Sequence, residues 1–350
     1  MGKMVQKRAL GVLLLTVMIL SLVLTGCRSK KPTLYVYNWG DYIDESILKD
    51  FEEEYGIRVV YDTYATNEDM YVKIKSGGST YDVIFPSDYM LTRMREEGML
   101  EKLDLEKIPN SKYIDPRFLG ADYDPNNEYS LPYMWGTLGI LYNTNLVDDP
   151  VDSWDILWNP KYAKQILMLD SQRDSIGVAL LKLGYSINTL NPDELVAAGE
   201  ILKEQKPLVL AYVVDEGKDK MVSGEAALAV VWSGDAAYAI EENPDLAYTF
   251  PRTGTNLWFD VVAIPKGAKN IDAAHKFIDF LNRPDIAFRN VDHIGYATPH
   301  LAAKDQLPKE ITDDPDFYPT DEDLVNAEVF VNLGATLKEY DRIWTEVKAH

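Results

Sequence analysis

The alternation of short, β-rich apolar runs with longer stretches of helical spacing constrains the fold of this chain more than any other feature. Near its start, runs typical of strands at 33–39, 57–64 and 81–86 are separated by stretches of helical periodicity at 44–55 and 67–76. Strands that alternate with helices pair in parallel through right-handed crossovers, and the helices cover the faces of the sheet. The pattern therefore predicts an α/β layer fold.

The same alternation restarts after Pro132. Further strands are predicted at 165–169, 208–214, 227–232 and 256–264, and further helices at 175–183, 192–204, 271–281 and 337–347. A chain of 350 residues exceeds what one core usually organises, so two domains are expected. No stretch rich in glycine and serine separates the halves, which predicts short, stiff connections between them.

Aromatic and acidic residues recur where the predicted strands end. In open α/β sheets, ligands bind beyond the carboxyl ends of the strands, where loops and helix N-termini converge. The candidate binding residues at these ends are Trp39, Gly40, Asp41, Tyr42, Ser87, Asp88, Tyr89, Ser171, Asp174, Trp232, Asp235, Trp258 and Asp260, with Tyr296 beyond a later helix. We expect them to line one cleft.

Such a set of residues suits an organic cation. Aromatic faces attract a cation through the ring quadrupole, and carboxylates bind its ammonium groups. Alkyl amines titrate near pH 10, as lysine does, so a diamine is charged at both ends at neutral pH. Asp174 and Asp260 could hold two such groups. Taken singly, each residue also has an ordinary role, since Trp and Tyr pack at strand ends and Asp88 suits a helix N-cap.

The N-terminus is typical of an exported protein. Three basic residues precede an apolar run at 9–24, and Cys27 is the only cysteine in the chain. Residues 1–26 are predicted to be a signal peptide that is removed after export. The segment before Cys27 resembles the bacterial lipobox, which implies lipidation of this residue and an anchor linker at 27–32. An uncleaved membrane helix is the alternative, although 9–24 is shorter than the roughly 20 residues a bilayer requires.

Charge and composition narrow the classes of function. The formal net charge of −21 disfavours nucleic acid as a partner and concentrates cations near the surface. A single, lipidated cysteine leaves no disulfide and no cysteine nucleophile. The four histidines lack the spacing of a metal site, so neither a metal nor a cofactor is expected. The run at 122–128 begins like a calcium loop but lacks its glycine and glutamate, which favours a turn.

Five segments carry a family resemblance. They are Tyr37-Asn38-Trp39, Pro132-Tyr133-Met134-Trp135-Gly136, Trp232-Ser233-Gly234, Asp260 with the following 261–265, and Ile294-Gly295-Tyr296. In these segments the chain resembles the spermidine/putrescine-binding proteins of bacterial polyamine uptake systems. The resemblance implies a two-lobed periplasmic-binding-protein fold of type II, with lobes joined by crossing strands. It assigns 33–136 plus about 264–306 to the first lobe and 137–263 plus about 307–350 to the second.

The resemblance also implies roles for the candidate residues. It assigns Trp39 and Tyr42 to one wall of a polyamine site, Tyr296 to the closing wall, and Ser87 and Tyr89 to the next loop. Asp174 would bind an amine of the ligand, and Asp260 would be the central carboxylate contact. Trp232 and Trp258 would stack on the methylene chain. It further implies capture of a polyamine outside the cytoplasm and delivery to an ABC permease. A monomeric binding protein without catalysis, attached to the membrane through its lipid, is expected.

Four positions bear on which polyamine is bound. Ser171 stands where spermidine-specific members of the family carry an acid, and Phe330 where they carry a glutamine. Asp41 and Asp235 are similar to acids of the putrescine-binding members. These departures favour putrescine, while binding of both polyamines stays open.

Two other classes of function remain as alternatives. Glycosidases also line a cleft with paired acids and stacking aromatics, although the chain has no serine elbow, phosphate loop or zinc motif. A binding protein for another cation, such as a basic amino acid, thiamine or a metal, is the second, because fold does not fix the ligand. An amino acid would need an arginine for its carboxylate. Arg173 is the candidate, but a solvated position or a salt bridge between the lobes is expected for it.

Overall fold

The computed structural model describes residues 31–77 and 80–350. The predicted signal peptide at 1–26 and the lipidation site at Cys27 lie outside the described residues. The strands are β1 (Thr33–Trp39), β2 (Arg58–Tyr64), β3 (Val83–Ile84), β4 (Ser130–Asn143), β5 (Ile166–Leu169), β6 (Val209–Val213), β7 (Leu228–Trp232), β8 (Leu246–Thr249), β9 (Thr255–Ala263) and β10 (Ala327–Glu328). The helices are α1 (Glu45–Tyr55), α2 (Asn67–Lys75), α3 (Asp88–Glu96), α4 (Gln172–Lys182), α5 (Pro192–Gln205), α6 (Glu216–Val222), α7 (Ser233–Glu242), α8 (Ile271–Leu281), α9 (Pro284–Ile294), α10 (Leu301–Lys304), α11 (Lys309–Thr312) and α12 (Leu337–Ala349).

The strands form two parallel groups joined by an antiparallel pair. Along the sheet the order is β2-β1-β3-β9-β4-β7-β5-β6, with β8 paired to β4 and β10 to β9. Strand β1 runs parallel to β2 and β3, and these three form the first strand group. Strand β5 runs parallel to β6 and β7, which form the second strand group with it. The predicted α/β class is confirmed, with helices between successive parallel strands as crossovers require.

Strands β4 and β9 connect the two groups. They are antiparallel to each other from the Ser130–Ala263 pair to the Thr137–Leu257 pair, with a bulge after Pro132. Strand β9 also pairs with β3, whereas the second half of β4 pairs with β7 and β8. Together these two long strands connect β3 of the first group with β7 of the second, which gives the two lobes and the crossing strands predicted from the resemblance.

Strand β4 was not predicted from the sequence, although it has 14 residues. It contains Pro132, Gly136 and Gly139, and these residue types normally argue against a strand interior. Packing explains both glycines: a Cβ at position 136 would lie 2.6 Å from the indole ring of Trp258, and one at 139 would lie 2.5 Å from the ring of Tyr248. The strand is buried nearly throughout, so it also lacks the alternation of an exposed strand.

The other predicted elements match to different degrees. Most strands and helices lie within three residues of their predicted bounds. The strand predicted at 81–86 is reduced to β3, because only Val83 and Ile84 find ladder partners. Helices α7 and α9 were not predicted; α7 begins directly after β7 with no intervening turn residues that would have marked it.

Separate cores cover the two strand groups. In the first, Phe51 of α1 packs edge to face against Phe277 and Phe280 of α8, with ring centroids 5.1 and 5.5 Å apart. In the second, α12 packs on α4 and α5. Leu307 and Tyr318 belong to the core of the first group, so the segment after α10 contacts that group before the chain returns to α12. Within 31–77 and 80–350, no helix has the length and apolar character needed to cross a bilayer.

Candidate ligand-binding site

A cleft of about 340 Å³ lies where the strands of the two groups end. This volume falls within the range of pockets that hold small molecules. All the candidate residues from the sequence line it: Trp39, Gly40, Asp41, Tyr42, Ser87, Asp88, Tyr89, Ser171, Asp174, Trp232, Asp235, Trp258, Asp260 and Tyr296. Most of them meet because parallel strands present their carboxyl ends at one edge, and the two edges face each other across β4 and β9. Trp258 and Asp260 were expected at a strand end but lie in the middle of the antiparallel strand β9, which passes between the two groups.

Asp260 organises the middle of the cleft. It lies on β9 and is bridged to Ser87, the residue that precedes α3. One carboxylate oxygen accepts a hydrogen bond from the Tyr42 hydroxyl at 2.8 Å and the other from the Ser87 hydroxyl at 2.6 Å. Burial raises the pKa of Asp260 to about 6, and the two hydroxyl donors work in the opposite direction. A partly desolvated carboxylate in a fixed orientation is suited to a cationic partner.

Asp174 supplies a second buried carboxylate. It lies in the first turn of α4, and it accepts a hydrogen bond from Ser171 at 2.5 Å. Burial raises the pKa of Asp174, while contacts with Ser171, Trp232 and the neighbouring Arg173 lower it. Asp174 forms no ion pair closer than 4 Å within the described part of the chain.

Aromatic rings form the walls around these acids. Tyr42 meets Tyr296 edge to face with centroids 5.2 Å apart, and Tyr296 meets Trp258 at 5.3 Å. The Trp39 indole donates to the Phe85 carbonyl at 2.8 Å, which fixes its orientation at the end of β1. Rings held in this way offer flat faces for a cation or for methylene groups without losing further conformational freedom.

Asp88 does not cap α3 as predicted. Ser87 occupies the N-cap position and Asp88 is the first helical residue, only 1% exposed. Its carboxylate oxygens accept the backbone N–H groups of Tyr89 at 2.6 Å and Phe259 at 3.0 Å. Burial raises the pKa of Asp88 to about 8. The side chain thus lines the cleft and also ties α3 to β9, because β9 passes directly beside the helix start.

Arg173 is not solvated, and it forms no salt bridge with the residues in 31–77 and 80–350, so that expectation was wrong. It is 2% exposed, and its guanidinium lies 4.2 Å from the ring centroid of Phe330. It donates to the Val331 carbonyl at 3.2 Å and to the Asn188 side chain at 3.1 Å. Burial lowers the pKa of Arg173. Aromatic stacking and backbone contacts, rather than a carboxylate, hold this charge at one end of the cleft.

A lysine lies at another part of the cleft, close to Asp41 and Asp235. The Lys218 ammonium donates to Asp41 at 3.2 Å and lies 3.8 Å from a carboxylate oxygen of Asp235. Asp235 is buried, which raises its pKa to about 6, and Lys218 opposes that shift. Asp215 is nearby: a Cβ on Gly40 would lie 2.8 Å from its carboxylate. The two lobes therefore meet here through charged side chains.

The sequence analysis missed several lining residues. Asn67 donates to the hydroxyls of Ser87 and Tyr89, both at 3.1 Å, and Glu68 accepts from Tyr89 at 3.1 Å. The start of α2 follows the predicted strand β2, so the strand-end rule could have found these two residues. Lys218 had no such signal, because α6 was not predicted. Among the residues the structure describes, no cluster of three or more His, Cys, Asp or Glu could hold a metal ion.

Two lobes, crossing strands and a cleft between them define a solute-binding protein with the type II periplasmic-binding-protein fold. The structure is similar to that of a putative spermidine/putrescine ABC transporter protein from Listeria monocytogenes, with a TM-score of 0.88 and 47% identity, over 90% of this chain and 98% of that one. The family model of the bacterial extracellular solute-binding proteins matches residues 46–320. The chain belongs to this family.

Two relatives in sequence carry names that refer to polyamines. The spermidine/putrescine-binding periplasmic protein of Escherichia coli is 40% identical over 319 residues, which are 91% of this chain and 92% of that protein. A putrescine-binding periplasmic protein of Pseudomonas aeruginosa is 35% identical over 336 residues, with 90% and 92% covered. The family resemblance identified from the sequence is confirmed.

Proposed function

We propose that this protein captures a polyamine in its cleft, outside the cytoplasm, and delivers it to the permease of an ABC transporter. The observation that carries the proposal is the setting of Asp260. Its carboxylate is buried, receives hydrogen bonds from two hydroxyl groups, and has no lysine or arginine among the charges that shift its pKa. A buried carboxylate without a cationic partner is unfavourable. An ammonium group of the ligand would supply that partner.

The rest of the cleft suits the remainder of such a ligand. Asp174 offers a second buried carboxylate for another ammonium group. Trp232 and Trp258 line the same cavity and would cover the methylene chain. A chain with charged ends and an apolar middle matches this arrangement of acids and rings.

Putrescine is the polyamine that we favour. Ser171 contributes a hydroxyl beside Asp174 where a second acid would favour a further ammonium group. Phe330 packs under the Arg173 guanidinium, so this end of the cleft holds a fixed positive charge. Both features disfavour a third ammonium group near Asp174, because like charges repel strongly where water is excluded.

Other ligands and an enzymatic role fit less well. A basic amino acid needs a partner for its carboxylate, but the Arg173 guanidinium already stacks on Phe330 and donates to Val331 and Asn188. Asp260 and Asp174 accept hydrogen bonds from hydroxyl groups, and Asp88 accepts them from backbone N–H groups. We therefore propose binding without catalysis, as the family's solute-binding character supports.

Capture would involve closure of the two lobes. We assign 33–136 plus about 264–306 to the first lobe and 137–263 plus about 307–350 to the second, although Leu307 and Tyr318 pack in the core of the first group. A ligand stabilises the closed form only as far as it binds that form better than the open one. Residues from both lobes line the cleft, so a polyamine that contacts Trp39 of the first lobe and Trp232 of the second together would bind the closed form better.

Lipidation of Cys27 would hold the protein near the permease. The signal at 1–26 would direct export, the linker at 27–32 would separate the lobes from the membrane, and acyl chains would anchor the new N-terminus. We propose that the anchored protein acts as a monomer. The acidic surface, at a formal net charge of −21, would raise the local concentration of a cationic ligand.

Calorimetric titration tests the function directly. The protein is unfolded and refolded to remove any bound ligand, and then titrated with putrescine, spermidine, lysine and a neutral sugar. We expect saturation by at least one polyamine with a Kd of about 1 μM or tighter, near −8 kcal/mol, and no heat from lysine or the sugar. Silence from both polyamines in a folded sample would refute the proposal.

A further inference from the structure

Lys218 is a buried lysine inside a cleft that otherwise suits an external cation. Its side chain is 13% exposed, it lines the cavity, and it enters from α6 on the second lobe. Its ammonium donates to Asp41, which follows β1 on the first lobe, and lies 3.8 Å from Asp235. A primary ammonium on a four-carbon stem has the same chemistry as one end of a diamine. The cleft therefore already contains an ammonium group of the kind that a diamine would bring.

The two acids beside Lys218 differ in their exposure to water. The Asp41 side chain is 73% exposed, so water screens its charge. The Asp235 side chain is 14% exposed and lines the cleft beside Tyr296. Lys218 is the basic group among the charges that act on Asp235. The buried acid at this part of the cleft therefore has a resident partner.

Asp260 and Asp174 differ from Asp235 in this respect. No basic side chain is among the groups that shift the pKa of Asp260, and Asp174 is neighboured by Arg173 without an ion pair in the described residues. These two carboxylates remain for the ammonium groups of a ligand. Asp260 and Asp174 are therefore available to a ligand, whereas Asp235 is already paired and the oxygens of Asp88 are bound by backbone N–H groups.

We propose that Lys218 is a resident cation that occupies the ammonium subsite beside Asp235 and so selects a diamine over a triamine. The proposal rests on the proposed function and names a specificity-determining residue for it. A third ammonium group would have to approach Lys218 in a site of low dielectric, where like charges repel strongly. A diamine bound at Asp260 and Asp174 avoids this repulsion.

Lys218 keeps its charge in this setting. Burial acts against the ammonium, but the attraction of Asp235 and Asp41 outweighs it and raises the pKa of Lys218. Removal of the lysine would leave Asp235 buried without a basic partner, and an ammonium group of the ligand would then be favoured there.

The test compares Lys218→Met with the wild type. Both proteins are refolded without ligand, checked by circular dichroism and thermal unfolding, and titrated with putrescine and spermidine. We expect the ratio of the putrescine Kd to the spermidine Kd to rise at least tenfold in the variant, because spermidine gains a partner for its third ammonium group. Lys218→Arg keeps the charge and is expected to keep the wild-type ratio.

Lys220→Met is the matched control on the same helix. Lys220 pairs with Glu225 on the surface and does not line the cavity, so its loss should leave the ratio unchanged. Adding Asp235→Asn to Lys218→Met should abolish the gain in spermidine binding. If Lys218→Met fails to fold, Lys218→Gln, which keeps a polar end, is measured in its place.

Three outcomes are distinguishable. A raised ratio in Lys218→Met that Asp235→Asn reverses supports the inference. An unchanged ratio overturns the inference, while the proposed function stands. The same holds for an equal loss of affinity for both polyamines, which is expected if Lys218 only links the two lobes. A wild-type protein that binds neither polyamine refutes the proposed function itself, whatever the variants do.

Discussion

At the scale of single residues, the cleft depends on how each carboxylate is held. Asp260 has both oxygens bound by hydroxyl donors, Asp88 has both bound by backbone N–H groups, and Asp235 lies beside Lys218. Hydroxyl donors can rotate and leave a net negative charge, whereas a lysine cancels it. The same residue type therefore offers a ligand site at 260, a structural tie at 88 and a paired charge at 235.

Asp260→Asn should weaken polyamine binding at least tenfold. The amide keeps the shape of the side chain, and its oxygen can accept one hydroxyl while its NH2 group donates to the other, but it loses the charge that attracts an ammonium group. Calorimetric titration with putrescine measures the change. Asp272→Asn is the control, because Asp272 is exposed, lies outside the cleft and pairs with Lys107. Unchanged affinity in Asp260→Asn would contradict the assignment of this residue.

The pKa of Asp260 predicts a pH dependence. Its folded-state value of about 6 lies above the ordinary value of 3.8, so the folded protein binds this proton more tightly than the unfolded chain does. Ionised Asp260 therefore lowers the stability of the ligand-free protein above about pH 6, and this effect disappears as the pH falls from about 6 to about 4. We expect the free energy of unfolding of Asp260→Asn, measured in urea, to exceed that of the wild type at pH 7.

The difference in the free energy of unfolding between Asp260→Asn and the wild type should shrink towards pH 4.5. Putrescine binding by the wild type should weaken over the same interval, because the carboxylate becomes protonated. A difference in stability that stays constant between pH 7 and pH 4.5 would show that Asp260 does not titrate in this range.

Ser171→Asp should shift the preference towards spermidine. The new carboxylate would lie beside Asp174, which now accepts a hydrogen bond from the Ser171 hydroxyl, and two adjacent acids favour a second ammonium group nearby. The ratio of the two Kd values measures the shift. Ser171→Ala removes the hydroxyl without adding charge and should leave the ratio near that of the wild type. An equal ratio in both variants would remove this argument for a diamine.

At the scale of secondary structure, the strands that the sequence predicted are the short parallel ones and the longer antiparallel β9. Their apolar runs are bounded by helices of clear periodicity, as at β1 and α1, where Asp44 caps the helix start and Gly56, with a φ of 65°, ends it. Strand β4 escaped prediction because its glycines are required by neighbours far away in sequence. The residue pattern of a short segment predicts a strand or helix only when interactions within that segment determine its residue types.

Gly139→Ala tests this account of β4. A Cβ at position 139 would lie 2.5 Å from the Tyr248 ring, so the strand or the ring must shift, and we expect a loss of about 1–3 kcal/mol in the free energy of unfolding. Gly177→Ala in α4 is the control, because its nearest neighbours are 3.6 Å or more away. Alanine there should stabilise the helix by about 0.5–1 kcal/mol. Equal effects of the two changes would contradict the packing explanation.

At the scale of the whole molecule, two long strands connect the lobes and the cleft lies between them. Because β4 and β9 pair with each other and with strands of both groups, a change at the crossing can alter how the lobes meet. Side chains also connect the lobes across the cleft, as Lys218 does with Asp41 and Asn332 with Glu96. Ligand contacts would add to these few links, which is how a small molecule can favour closure.

Cys27→Ser tests the attachment of the molecule to a membrane. Loss of the thiol removes the proposed site of acylation, so we expect the variant to appear in the soluble extracytoplasmic fraction while the wild type sediments with membranes. Fractionation followed by immunoblotting measures this. Lys31→Ala, in the short segment before β1, leaves the cysteine in place and should remain with the membranes. A variant that stays with the membrane would favour an uncleaved N-terminal helix instead.

The sequence by itself determined the α/β class and most of the residues that meet in the cleft, because apolar periodicity and the carboxyl ends of strands are properties of short segments. The resemblance in five segments indicated the family. The tertiary structure decided which charges stay available. Burial placed Arg173 on Phe330, and the approach of α6 to the end of β1 brought Lys218 to Asp41 and Asp235. These contacts join residues that are distant in the chain. They depend on tertiary packing, which the residue pattern of a short segment does not predict.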